Sequence, residues 1–372
     1  MTRTKKAIYG IAVTVLLFGG LEGLQRVRYS IRFEQLRWLA FGFDTNLAFP
    51  IDERDGYYLF QPGFYDRYYD RGNGETYPFT INSHGFRGQE IQEVSQGMRV
   101  VVTGGSATFG HANNDWETWP HYLEEELDTQ LDHLSIEVVN AGFHAYRARH
   151  IAAMLPAEIV PLNPDLLLVY TGFNDWETIK VLTNMRDHGV SPSASEWMHH
   201  WFMSKSLLYL TVAEKLQTLQ TGNINDLYRT TEDAEVGRRT FEDQQKWNAY
   251  GDALESIVLE CLRTKIPLVF ATEAVHLVPA ERALSSWHEK ELWDPTYMKG
   301  RAVLTEMADR YNVPVVDIAA LFDDLDDETL FQYNDVIHLT PAGNQTVASA
   351  LTNEIIPMLQ VLHDEKQHDA LQ

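Results

Sequence analysis

The hydrophobic pattern of the chain changes near residue 98. From there, short apolar runs rich in β-branched residues alternate with longer stretches that have helical spacing. Apolar runs of this length between helical stretches are typical of buried parallel strands in βαβ units. We predict five strands, at 98–103, 135–139, 165–171, 266–272 and 313–317.

Two of the stretches around these strands carry clear helix starts. Thr118 is followed closely by Pro120, and Thr340 is followed directly by Pro341. A capping residue with proline just inside the first turn favours a helix start. Alternating strands and helices imply an α/β fold, in which helices cover both faces of a parallel sheet.

The first residues have a different pattern. Residues 7–21 carry no charge and follow a basic start, which is typical of an export signal or an anchor. This run of 15 residues is shorter than the ~20 that cross a bilayer core, although it reaches Leu24 if Glu22 lies at the interface. No small-residue cleavage site follows. We therefore expect an uncleaved membrane anchor with the remaining chain outside the cytoplasm; a cleaved signal peptide and a buried helix are the alternatives.

These patterns divide the chain into four segments. The first is the anchor with a basic amphipathic juxtamembrane helix, and the second is an aromatic extension expected to pack on the α/β domain. The third is that domain, with an aromatic helical insertion that forms either a lid or a packed helix. The last is a polar tail. The boundaries are 1–43, 44–97, 98–360 with the insertion at about 190–250, and 361–372.

Charge and cysteine content exclude several functions. The net charge is −23, from 53 acidic and 30 basic residues, so a phosphate-binding surface for nucleic acid is not expected. The single cysteine, Cys261, lies in an apolar helical stretch and excludes both an internal disulfide and a cysteine-rich metal site. His188, His199 and His200 lack a partner pattern for a metal, and the acidic run at 323–328 lacks the spacing of a calcium loop. We expect no metal and no cofactor.

Polar residues with catalytic potential follow three of the predicted strands. The carboxyl ends of parallel strands share one edge of the sheet, where ligands bind. Ser106 follows the first strand in a glycine-rich turn, and Asn174 follows the third. Asp335 precedes His338 by three residues, so one turn can bring its carboxylate to the imidazole Nδ1. Each residue alone also fits a turn or a surface position. Together they supply a nucleophile, a base, its orienting acid and an oxyanion donor.

This set of residues resembles the SGNH hydrolases, also called the GDSL esterase/lipase family, of the membrane-anchored type. The resemblance covers about 98–355 and rests on GGSATFG, GFND and DVIH in the order of the family. It implies a three-layer α/β/α flavodoxin-like sandwich with a parallel five-stranded sheet. It also implies that Ser106 is the nucleophile, His338 the base, Asp335 its orienting acid and Asn174 an oxyanion donor.

The chain departs from the family pattern at two positions. Gly105 replaces the acid of Gly-Asp-Ser, which does not carry the transferred proton. The glycine of the second family block falls at Ala145, five residues after Asn140. Its role is to donate a backbone N–H, which alanine can fulfil if its backbone angles allow a Cβ. Gly142 is the alternative donor. The segment 82–88, NSHGFRG, resembles one in many membrane-anchored SGNH proteins and has no assigned role.

The resemblance implies a serine-dependent acyl-ester hydrolase that works through an acyl-enzyme. Its substrate would be a small-molecule, lipid or carbohydrate ester, with cell-envelope or acetylated carbohydrate esters favoured by an extracytoplasmic anchor. One alternative is an O-acetyltransferase of an exported polysaccharide, which shares the first half-reaction. The other is a non-catalytic envelope binding protein that keeps the same fold.

Overall fold

The computed structural model describes most of the chain from residue 51 onward and one long helix before it. The described ranges are 3–32, 51–63, 65–69, 76–93, 97–176, 244–276, 290–325, 327–332 and 335–370, with single positions between 198 and 216. The chain forms two compact units. One contains Met1–Pro50 and Lys180–Thr230, and the other contains Ile51–Ile179 and Thr231–Gln372.

The first unit contains helix α1, Arg3–Arg32. Glu22 in this helix pairs with Arg26 at 2.7 Å and accepts the Ser206 hydroxyl at 2.8 Å. Among the helices of the described residues, none has the length and apolar character needed to cross a bilayer. The predicted anchor is therefore not supported. The physical reason is that its uncharged run of 15 residues ends at this charged pair.

Two antiparallel hairpins open the second unit. Strand β1 (Ile51–Glu53) pairs with β2 (Tyr58–Phe60), and β3 (Tyr65–Tyr69) pairs with β4 (Thr76–Thr80). The Phe60 ring stacks on Phe143 at 5.1 Å, and the Phe79 ring meets Phe109 edge-on at 5.4 Å. Residues of the aromatic extension therefore contribute to the same core as the sheet.

A parallel sheet of five strands forms the centre of this unit. The strands are β5 (Met98–Gly104), β6 (Ile136–Gly142), β7 (Leu166–Thr171), β8 (Leu268–Thr272) and β9 (Val315–Val316), in the order β6-β5-β7-β8-β9. This is the doubly wound, flavodoxin-like order. All residues of β5, β7 and β8 are buried, as expected of strands covered on both faces. The prediction of an α/β fold with five parallel strands is confirmed.

Helices surround the sheet in two groups. In chain order the helices are α2 (Ser106–Phe109), α3 (Trp119–Gln130), α4 (Ala148–Met154), α5 (Phe173–Trp176), α6 (Gln244–Thr264), α7 (Lys290–Tyr311), α8 (Ile318–Leu325) and α9 (Pro341–Ala370). Helix α3 packs against α9, whereas α6 packs against α4 and α7. Because crossovers between parallel strands are right-handed, connections that run in opposite directions along the sheet lie on opposite faces.

Two sequence predictions concern helix ends. Helices α3 and α9 begin directly after Thr118 and Thr340, as predicted. The residues from 361 onward, predicted as a polar tail, lie in the last part of α9, which continues to Ala370. Lys366 ties this end to the body because its ammonium group binds the Asp165 carboxylate at 2.8 Å. The insertion at about 190–250 lies largely outside the described residues, and the four segment boundaries stay predictions.

Candidate active site

The chain turns sharply at the carboxyl end of β5, at the point where strand order reverses between β5 and β7. A Cβ on Gly104 would collide with the Tyr170 carbonyl and the Thr108 hydroxyl, so only glycine lets the backbone pass here. Ser106 follows at the first position of α2 and is nearly buried. Its hydroxyl therefore lies at the sheet edge where ligands of doubly wound folds bind.

The structure brings Ser106, His338 and Asp335 into one hydrogen-bonded chain. The Ser106 Oγ lies 2.8 Å from His338 Nε2, and His338 Nδ1 lies 2.7 Å from Asp335 Oδ2. The other Asp335 oxygen accepts the backbone N–H groups of Ile337 and His338, both at 2.9 Å. Burial opposes ionisation of Asp335, but His338 and these hydrogen bonds hold its pKa below the usual value. The ionised carboxylate keeps the proton on Nδ1, so Nε2 can accept the serine proton.

Three groups are candidate oxyanion donors: the backbone N–H groups of Ser106 and Ala145 and the Asn174 side-chain amide. The Asn174 Nδ2 donates to the Tyr146 carbonyl at 2.9 Å, which orients the amide. Among the described residues, the backbone N–H groups of Ser106 and Ala145 donate to no backbone acceptor. Gly105 makes room for the Asn174 amide, because a Cβ on Gly105 would lie 2.7 Å from Nδ2. The absence of a Cβ at Gly105 therefore permits the close approach of the Asn174 amide.

The two candidate oxyanion donors, Ala145 and Gly142, differ in their backbone. Ala145 has a φ of +57°, in the left-handed region that glycine occupies more easily. The Cβ in this conformation costs about 1 kcal/mol. The Gly142 N–H already donates to the Asn140 side chain at 3.0 Å, which favours Ala145 as the donor. Gly142 instead lets β6 pack against α2, since a Cβ there would collide with the Phe109 nitrogen.

Arg87 is a site residue that sequence reasoning missed. Its Nη1 donates to the carbonyls of Phe109 and Gly110 at 2.7 and 2.8 Å, and Nη2 donates to that of Asn113 at 2.7 Å. The Nε pairs with Asp115 at 2.7 Å. The buried guanidinium therefore holds the end of α2, the helix that begins with the serine, and the loop that follows. The only signal of this role in the sequence is the segment 82–88, which contains Arg87 and resembles a segment of membrane-anchored SGNH proteins.

A second histidine packs against His338. The rings of His111 and His338 lie 4.2 Å apart at an angle of 33°. Burial, together with His338, His144 and Arg87 nearby, lowers the pKa of His111 well below its usual value, so this ring is neutral. The backbone N–H of His111 also donates to the Ser106 carbonyl at 3.0 Å. His111 therefore contacts both the imidazole and the backbone of the serine.

Glu273 lies directly after β8 at the same edge of the sheet and is 1% exposed. Its carboxyl accepts the Phe173 N–H at 2.7 Å, next to Asn174 in the chain. The other carboxyl oxygen has no hydrogen-bond partner among the described residues. Burial, with a smaller contribution from Asp175, raises the pKa of Glu273 to about 8. This carboxyl is therefore mostly protonated at neutral pH.

The residues after Glu273 connect two parts of the site. The Ala274 N–H donates to the Tyr170 hydroxyl at 2.9 Å, and the His276 N–H donates to the Val336 carbonyl at 2.7 Å. Val336 directly follows Asp335. One short segment therefore links the turn that carries Asn174 to the loop that carries Asp335 and His338.

Within the part of the chain that the structure describes, no group of three or more His, Cys, Asp or Glu side chains is arranged to hold a metal ion.

The buried Cys261 thiol has its pKa raised to about 12 by burial, which disfavours the reactive thiolate.

Comparison with known proteins identifies the family. The sequence profile of the GDSL-like Lipase/Acylhydrolase family matches residues 102–346, roughly two thirds of the chain. The chain belongs to this family and is a hydrolase of ester bonds, which confirms the resemblance drawn from its motifs. A search of curated proteins gives no match.

Solved structures show weaker similarity. The lipase/acylhydrolase from Enterococcus faecalis has 14% identity, with 69% of this chain and 95% of that chain covered and a TM-score of 0.42. A catalytic mutant of Axe2, an acetylxylan esterase from Geobacillus stearothermophilus, has 15% identity, with 71% and 97% covered and a TM-score of 0.42. The family assignment rests on the profile match.

Proposed function

We propose that Ser106, His338 and Asp335 form the catalytic triad of a serine acyl-ester hydrolase that works through an acyl-enzyme. The observation that carries this proposal is the continuous hydrogen-bonded chain, with Oγ–Nε2 and Nδ1–Oδ2 distances of 2.8 and 2.7 Å. A nucleophile, a base and an orienting acid in hydrogen-bond contact are the arrangement that serine hydrolysis needs.

In the first half-reaction, Ser106 Oγ attacks the carbonyl carbon of the ester while its proton passes to His338 Nε2. The carbonyl oxygen becomes negative and is stabilised by the N–H groups of Ser106 and Ala145 and by the Asn174 amide. Asp335 stabilises the imidazolium. The bond to the alcohol oxygen then breaks, and His338 returns the proton to the leaving alcohol.

In the second half-reaction, His338 removes a proton from water, and the hydroxide oxygen attacks the acyl carbon bound to Ser106. The same donors stabilise the second oxyanion. Collapse of this intermediate breaks the bond to Oγ, and His338 returns its proton to Ser106. The acid is released, and no cofactor is needed for proton or charge balance.

The test combines a chromogenic ester with an active-site probe. We expect Ser106→Ala to abolish both p-nitrophenyl acetate hydrolysis and labelling by a fluorophosphonate. Ser256→Ala, which removes an exposed hydroxyl on α6, serves as the matched control and should retain both. Hydrolysis by folded Ser106→Ala at the wild-type rate would refute the assignment.

We propose acetylated carbohydrate esters, such as those of cell envelopes, as the substrate class. The acyl-enzyme can also be released by a sugar hydroxyl, which would make the protein an O-acetyltransferase. Product analysis with increasing acceptor sugar separates the two: a hydrolase releases acetate at an unchanged rate, whereas a transferase forms acetylated acceptor. The location outside the cytoplasm stays a prediction, which fractionation of cells expressing the full chain would test.

A further inference from the structure

A cavity of about 440 Å³ that is broadly open to solvent lies at the surface between the β1–β2 hairpin and helix α4. Its volume is in the range of small-molecule sites. The lining includes two arginines, two tyrosines and a histidine, which are Arg54, Arg149, Tyr57, Tyr58 and His150. The role of this cavity is separate from proton transfer, because none of these residues belongs to the proposed triad or its oxyanion donors.

The cavity wall is joined directly to the loop that carries an oxyanion donor. The Tyr58 hydroxyl donates to the carbonyl of His144, the residue before Ala145. The Tyr58 ring meets the ring of Tyr146, the residue after Ala145, edge-on at 5.0 Å. The Tyr146 carbonyl in turn accepts the Asn174 amide at 2.9 Å. The cavity wall is therefore connected, through Tyr58 and Tyr146, to the loop of Ala145 and to the Asn174 amide.

The charges of the cavity favour an anion. Arg149 is exposed and forms no ion pair or hydrogen bond through its side chain among the described residues. Arg54 pairs with Asp52 at 2.7 Å, but each side chain is 47% exposed, so the pair is weak and can exchange for a ligand. The second nearby carboxylate, Glu158, accepts the Tyr57 hydroxyl at 2.7 Å. Two guanidinium groups at one cavity stand out in a chain with a net charge of −23.

The tyrosines add a surface for a sugar ring. Tyr57 is held at its hydroxyl by Glu158, and Tyr58 is held by the His144 carbonyl. Aromatic rings with fixed hydroxyls offer apolar area together with polar edges, as a carbohydrate requires. Guanidinium groups bind carboxylates with charge-assisted, often bidentate hydrogen bonds.

We propose that this cavity is a subsite for an acidic sugar unit of the acylated substrate. Arg149 and Arg54 bind the carboxylate of a uronate, and the tyrosines contact its ring. The proposal rests on the proposed function only in that the substrate is an ester. It narrows the substrate class to acetylated glycans that carry carboxylates.

Kinetics on three esters tests the proposal. Wild type should hydrolyse acetylated uronate oligosaccharides with a lower KM than acetylated neutral oligosaccharides. Arg149→Ala should raise the KM for the uronate substrate by about tenfold or more, the value of a lost charge-assisted hydrogen bond. Its rate on p-nitrophenyl acetate should not change. Arg310→Ala, which removes an exposed charge near Glu255, is the matched control and should leave every KM unchanged.

A binding measurement on the inactive Ser106→Ala variant tests the subsite independently of the catalytic assignment. Ser106→Ala titrated with a uronate oligosaccharide should bind it more tightly than the neutral analogue, and added salt should weaken only the uronate complex. The double variant with Arg149→Ala should lose this preference. Equal binding of the two oligosaccharides, or a preference that survives Arg149→Ala, would overturn the subsite. Ester hydrolysis by Ser106→Ala would instead refute the triad.

Discussion

Replacing Glu273 by glutamine removes a proton-binding group from the protein interior with little change of shape. The glutamine carbonyl can still accept the Phe173 N–H, which Glu273 accepts at 2.7 Å. What is lost is the ability to ionise. Because burial raises the pKa of Glu273 from 4.5 to about 8, the substitution should change how stability depends on pH.

The direction of the pH dependence of stability follows from how tightly the folded and unfolded states bind the proton. Between its ordinary pKa of 4.5 and about 8, the folded protein binds the Glu273 proton more tightly than the unfolded chain does. Wild-type stability therefore falls as pH rises through this window, and the loss is complete above the folded-state pKa. Each pKa unit corresponds to about 1.4 kcal/mol, so the whole window from 4.5 to about 8 is worth on the order of 5 kcal/mol. Because glutamine does not ionise, the Glu273→Gln variant does not lose this stability as the pH rises.

The measurement is the free energy of unfolding at pH 5 and pH 9 for wild type and Glu273→Gln. Relative to wild type, the variant should gain stability between the two pH values by a few kcal/mol. Glu306→Gln, at an exposed position on α7, is the control and should show no comparable gain. Other groups titrate equally in both proteins, so the difference isolates Glu273.

The same substitution has a kinetic consequence. A negative charge on Glu273 lies next to the Asn174 turn and opposes the developing oxyanion, so wild-type kcat should fall above pH 8, whereas the variant should keep its rate.

A stability difference between wild type and Glu273→Gln that is the same at pH 5 and pH 9 would refute the reasoning about the Glu273 pKa.

Three further substitutions test the neighbourhood of the serine. Asn174→Ala removes one oxyanion donor and should lower kcat on p-nitrophenyl acetate by about 10²–10³; an unchanged kcat would exclude Asn174 from this role. Gly105→Ala places a Cβ 2.7 Å from the Asn174 Nδ2, so it should lower kcat in the same assay, and a wild-type rate would show that the amide moves freely. Arg87→Met removes the donor to Asp115 Oδ1 and to three carbonyls, whereas Thr80 still donates to Asp115 Oδ2, and should reduce the free energy of unfolding by about 3–5 kcal/mol in chemical denaturation. A loss below about 1 kcal/mol would mean that water replaces the guanidinium.

The sheet could be predicted because its signal is local. Strands such as β5 and β7 are buried on both faces, so they need continuous apolar runs, and such runs are visible without knowing the fold. Topology then brings the ends of these strands to one edge. This is why Ser106 and Asn174 could be placed together from their position after a strand.

Other features depend on contacts between distant segments. His111 looks like a loop histidine until the fold places its ring against His338, 227 residues later in the chain. The raised pKa of Glu273 reflects burial by several elements, which no local pattern contains. The left-handed backbone of Ala145 is likewise set by its surroundings, because alanine alone favours negative φ.

Helix α9 shows a limit of predicting the end of a helix from polar composition. Residues after 360 are polar, and their composition predicts a polar tail from residue 361. A helix can continue with exposed polar residues if one contact holds its end, and the Lys366 ammonium provides that contact with Asp165. Polar composition therefore predicts exposure better than it predicts the end of an element.

The position of Arg87 affects how this protein can be shortened. The family profile begins at residue 102, and β5 begins at Met98, so a chain trimmed to either boundary would omit the guanidinium. Such a fragment would also lose the phenylalanines of the hairpins, leaving the rings of Phe109 and Phe143 open to solvent and prone to aggregation. Expression of the hydrolase domain should therefore start no later than the first hairpin, at Ile51.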